Sequence, residues 1–109
     1  MHLSDMRTTD VLCYYDGPMM FILESYKSLF FGYWKNEDRE GNLITYWYLP
    51  YEKHQIQIAK DGGVSLADFI RTADGAWEIT WNGSIPIKIK WRPMSEISDE
   101  ELPDRDVLI

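Results

Sequence analysis

The aromatic residues of this chain come in short runs, Tyr14-Tyr15, Phe30-Phe31, Tyr33-Trp34 and Tyr46-Trp47-Tyr48, followed by Trp77, Trp81 and Trp91. Aromatic and β-branched side chains fit a pleated, half-buried surface, so such runs between turn residues predict a chain built mainly of strands. Val11–Tyr15 and Met19–Glu24 flank Asp16-Gly17-Pro18 and read as a first hairpin. Ser28–Trp34 and Leu43–Leu49 read as a second, joined by the polar stretch Lys35–Asn42.

The last hairpin carries a register argument. Trp77, Ile79 and Trp81 share one face of a strand, and Ile85, Ile87, Ile89 and Trp91 share one face of the next. A two-residue Asn82-Gly83 turn would set Trp81 against Ser84 and Trp77 against Lys88, wasting the apolar face. A three-residue loop, Asn82-Gly83-Ser84, pairs Trp81 with Ile85, Ile79 with Ile87 and Trp77 with Ile89, and sets Glu78 opposite Lys88. The longer loop is therefore expected, with a glycine in the left-handed region.

Between the strand groups, Tyr51–Asp61 has a loose helical spacing ended by Gly62-Gly63, a left-handed cap. Ser65-Leu66-Ala67-Asp68 matches a capping pattern and predicts a short helix over about Leu66–Thr72. The expected class is α+β: a mostly antiparallel, twisted sheet of about six strands in hairpins, with two short helices between strands four and five.

With 109 residues the chain fits one domain, expected over 11–94, with residues 1–10 as an N-terminal extension and 95–109 as an acidic C-terminal one. Of the net charge of -7, residues 95–109 carry -5 (one basic residue against six acidic) and the rest -2. That split disfavours direct nucleic-acid binding, which needs a basic footprint, and points to a basic partner for the tail. No stretch approaches eighteen apolar residues and no leader-like apolar segment opens the chain, so no membrane contact and a cytoplasmic location are expected. The single Cys13, between Leu12 and Tyr14, reads as a small buried hydrophobe.

The catalytic inventory is sparse. His2, His54 and Cys13 have no zinc-ligand spacing. Asn36-x-Asp38-x-Glu40-Gly41 resembles half a calcium loop, yet Trp47 stands where the pattern demands a glutamate. His54 is the only interior candidate for a catalytic base, and no nucleophile elbow or phosphate-cradling loop is present. The expectation is a non-enzyme without cofactor or metal.

Tyr14-Tyr15-Asp16-Gly17-Pro18-Met19-Met20-Phe21 resembles the opening of an uncharacterised family of small bacterial domains. Tyr46-Trp47-Tyr48-Leu49-Pro50, Asp61–Phe69 and Leu102-Pro103 follow in that family's order. The resemblance covers Val11 to Asp104 and implies a bacterial or phage origin; the family has no assigned activity, so it transfers no site residue.

The functional expectation is a protein-interaction or regulatory module, motivated by the aromatic excess and the acidic tail. Its contact residues would be Phe30, Phe31, Tyr33, Trp34, Tyr46, Trp47 and Tyr48 on the sheet. On the tail they would be Asp99, Glu100, Glu101, Asp104, Asp106, Leu108 and Ile109. The partner would be a protein, basic or nucleic-acid-binding, or a second copy of the chain. The alternatives are a phage-type acidic inhibitor that blocks the nucleic-acid site of a host defence enzyme and, third, a small-molecule binding domain. In the inhibitor reading the acids themselves would occupy that site. A stacking platform of Trp34, Tyr46 or Tyr48 beside Lys88, Lys90 and Arg92 is disfavoured for want of a basic funnel.

Overall fold

The computed structural model describes residues 3, 6–14, 18–25, 28–104 and 107. Six strands, β1 (Arg7–Tyr14), β2 (Pro18–Glu24), β3 (Leu29–Asp38), β4 (Leu43–Tyr51), β5 (Gly75–Asn82) and β6 (Ile85–Pro93), form one antiparallel sheet in the order β1-β2-β3-β4-β5-β6. Helices α1 (Lys53–Gly62) and α2 (Leu66–Arg71) follow β4, and the chain then returns to pair β5 directly against β4. The protein is thus α+β.

Local sequence explains the helix ends. Glu52 and Gln55 cap each other's backbone at the start of α1, and Gly63 closes it with a φ of 62°. Ser65 accepts from the Asp68 N–H at 3.1 Å and starts α2. The strands run longer than the aromatic runs. β1 takes in residues 7–10, expected in an extension, and β3 continues to Asp38 through a bulge at Lys35, so the connecting loop shrinks to residues 39–42. Polar residues extend both strands because their faces there meet solvent. Of the first hairpin's turn, Asp16 and Gly17 lie outside the described residues, and Cys13 stands on β1 opposite Met20.

The register of the last hairpin differs from expectation. Asn82 pairs with Ile85 across a two-residue Gly83-Ser84 turn, and a bulge opposite Trp81 then resets the phase. Ile79 therefore meets Ile89, Trp77 meets Trp91, and Glu78 meets Lys90. The bulge does what the longer loop was meant to do: it keeps apolar residues opposite apolar ones while leaving a tight turn. Gly83, at φ 60°, occupies the first turn position, where a II′-like hairpin needs positive φ.

Two cores result, one on each face. On the helix face Phe31, Trp47, Leu49 and Tyr51 meet Ile56 and Ala59 of α1 and Leu66, Phe69 and Ile70 of α2. The Phe69 ring stacks on Tyr51 at 4.2 Å and takes Phe31 edge-on at 5.2 Å. On the opposite, open face Phe21, Leu23, Phe30, Tyr48 and Ile79 cluster, with Leu3, Met6, Tyr46, Trp77 and Trp81 packed against them. Gly32 makes this second core possible, since a Cβ there would lie 2.3 Å from the Phe21 ring.

Candidate functional site

Two regions of the described residues hold chemically or sterically available groups. The first is a charged network on the helix face of the sheet. The bulge in β3 turns Lys35 over the Trp47 ring, its ammonium 4.9 Å from the ring centre. Lys35 donates to Glu78 and to Glu101, both at 3.0 Å, and the Trp47 indole donates to Glu78 at 3.0 Å. Arg92 donates to Glu78 at 3.2 Å and forks onto both oxygens of Glu101. These four charged side chains keep only 15 to 25% of their surface. Burial alone would raise the Glu78 carboxyl, but donors from Trp47, Lys35 and Arg92 outweigh it and hold it below the usual range. The Arg92 fork holds Glu101 far lower, with Lys35 and the Ser98 N–H adding to it. Both acids stay ionised and saturated with donors, the state of a structural anchor.

Glu101 belongs to the C-terminal segment, which leaves β6 through 3-10 turns at Met94–Glu96 and Asp99–Glu101. Ile97 is buried in the helix-face core, and Met94 and Leu102 pack beside it. Arg71, in the last turn of α2, donates to the Met94 and Ile97 carbonyls and to Asp99, the last at 2.5 Å. Farther on, the Leu66 N–H donates to the Val107 carbonyl at 2.8 Å. The acidic segment is folded back on the body.

The second region is the outer half of the open face. By pairing, Trp34, Tyr46, Ile44, Trp77, Trp81, Trp91 and Ile89 share this face, and Ile87 sits in the bulge opposite Trp81. Ile87 and Ile89 expose 54% and 45% of their surface, and the aromatic rings beside them are half-buried. Lys88, Lys90 and Arg92 stand opposite Thr80, Glu78 and Ala76 and so point to the helix face. Among the described residues of β3 to β6 the open face carries one charged side chain, Glu37, opposite Ile44.

The expected contact residues are thus divided. Phe31 and Trp47 lie inside the helix-face core, and Phe30 and Tyr48 inside the open-face core, because strands apolar on both faces are covered from both sides. Burial pushes the Tyr48 hydroxyl up to about 12. Tyr33 sits half-buried against Trp47, while Trp34 and Tyr46 reach the outer open face. Of the tail residues, Asp99 and Glu101 are engaged by Arg71, Arg92 and Lys35, Glu100 and Asp104 face solvent, and Asp106, Leu108 and Ile109 lie outside the described residues. The cations imagined beside the stacking aromatics stand on the other face. His54 is exposed beside Glu52 at 3.3 Å, and no group of three metal-binding side chains occurs among the described residues.

The network of Lys35, Glu78, Arg92 and Glu101 escaped the sequence reading, since Lys35 and Glu101 lie 66 positions apart. One local signal existed: Ser98-x-x-Glu101 is a capping box, which marks an ordered turn in a segment expected to be an acidic extension reaching a partner. Comparison with protein-family models, curated proteins and solved structures finds no match. The likeness to small bacterial domains rests on the motif residues alone.

Proposed function

We propose that this chain acts by binding another protein rather than by catalysis, through the outer open face formed by Trp34, Tyr46, Trp81, Ile87 and Ile89. One observation carries the reading: Ile87 and Ile89 stand 54% and 45% exposed beside half-buried aromatic rings, on a face with a single acid and no base among the described residues of its four strands. Aromatic, charge-poor patches of this kind are typical centres of protein interfaces. The groups that could do chemistry, Glu78, Glu101, Lys35 and Arg92, are spent on one another, which supports binding over turnover.

The partner docks on the face and does not add a strand at the edge. Pro86, the bulge at Trp81 and the exposed Lys88 and Lys90 blunt the free edge of β6, the usual protection against strand addition.

The test is a pair of single substitutions, Ile87→Asp and Ile89→Asp, compared with the parent chain by light scattering and by affinity capture from a bacterial lysate. Loss of a captured partner, or of a dimer, in both variants with the fold intact is the expected result. Capture and mass identical to the parent would remove this face from consideration.

A further inference from the structure

We infer that Arg71, Arg92 and Lys35, the last set over the Trp47 ring, form a recognition site for an acidic peptide, and that the chain's own residues 97–102 occupy it as an internal ligand. The inference stands on the helix face and does not rest on the open-face reading. Its basis is the pose of the segment itself. Arg92 forks onto the Glu101 carboxylate and Lys35 adds a third donor, the bidentate geometry by which arginine selects carboxylates. Arg71 holds the segment at the Ile97 carbonyl and the Asp99 carboxylate, and the chain just before it at the Met94 carbonyl. Ile97 and Leu102 supply an apolar anchor on either side of the acids, Ile97 fully and Leu102 partly buried.

The recognised pattern is therefore apolar-x-acid-x-acid-apolar, here Ile97-Ser98-Asp99-Glu100-Glu101-Leu102. Glu100 faces solvent and contributes no contact that selects it. The seam between the segment and α2 is not closed: a cleft of about 140 Å³, lined by Ala67, Asp68, Arg71, Asp99 and Leu102, runs beside the Arg71–Asp99 pair. Asp99 itself is 92% exposed, so its hold on Arg71 is open to exchange with another carboxylate. A tethered ligand competes at an effective concentration of order millimolar, so a partner's peptide enters only when the internal acids are displaced or removed.

The experiment uses the full-length chain carrying Asp99→Ala with Glu101→Ala, and a fluorescently labelled synthetic peptide of the sequence of residues 94–104. The double variant is expected to bind the peptide at least tenfold more tightly than the parent chain. Binding should weaken from 50 to 500 mM salt, as charge pairing requires. A peptide with Asn and Gln at the two acid positions should not bind, and adding Arg92→Ala to the double variant should abolish binding. Equal binding by the parent and the variant, or by the neutral peptide, would overturn the inference. Should the double variant lose its fold, recovery of its circular-dichroism signal on adding the peptide supports the site, and no recovery overturns it.

Discussion

On the helix face, Phe31, Trp47 and Leu49 are sealed by two helices and by a C-terminal segment held with ion pairs; on the open face, Phe21, Tyr48 and Ile79 are sealed by neighbouring rings and by Leu3 and Met6. Charge is spent where a covering segment shields it from water, since Glu78 and Glu101 hold their donors only in that sheltered seam. Where no element covers the sheet, aromatic rings close the inner half and leave the outer half of the face apolar and accessible. One face is closed by the chain's own helices and C-terminal segment, and the other leaves an apolar, accessible outer half.

The difference can be broken most severely from the helix side. Trp47→Ala empties the largest fully buried side chain and removes a donor from Glu78, and is expected to cost about 4 kcal/mol in urea denaturation. Gly32→Ala strikes the open-face core instead, forcing the Phe21 ring aside, with a loss of about 2 kcal/mol by the same measurement. If Gly32→Ala proves neutral, the open-face cluster is loosely packed and the contrast between the faces sharpens.

Glu101→Gln tests the ionic fastening alone, with an expected loss of about 1 to 2 kcal/mol at neutral pH. Because Glu78 and Glu101 are held below the ordinary carboxylate range, the stability they add is complete above about pH 4.3 and drains away as the pH falls below it. The parent chain should therefore show a steep acid limb in its thermal midpoint, and Glu101→Gln a shallower one. An identical limb in both would deny the network its role. The smallest effect on stability belongs to Ile89→Ser on the open face, within about 0.5 kcal/mol of the parent in the same denaturation experiment.

Much of the fold was legible because it depends on neighbours in sequence. The capping pattern at Ser65 placed α2, Gly62-Gly63 ended α1, and the alternation of Trp77, Ile79 and Trp81 marked β5 as a strand. The face assignment of the aromatic runs was only half legible. Phe30-Phe31 and Trp47-Tyr48 alternate faces as strands must, but both faces of the central strands turned out to be core, so the residues with the strongest interaction signature are interior.

Sequence by itself determined the six strands, the two helices and their order, since propensity, capping and period-two alternation act within a few residues. Tertiary structure alone decided that a bulge opposite Trp81 would reset β6, that Lys35 would meet a carboxylate 66 residues away, and that the acidic segment would bind its own body. Those outcomes depend on which strands lie side by side, and a pairing between distant residues leaves no mark on the local pattern of either partner.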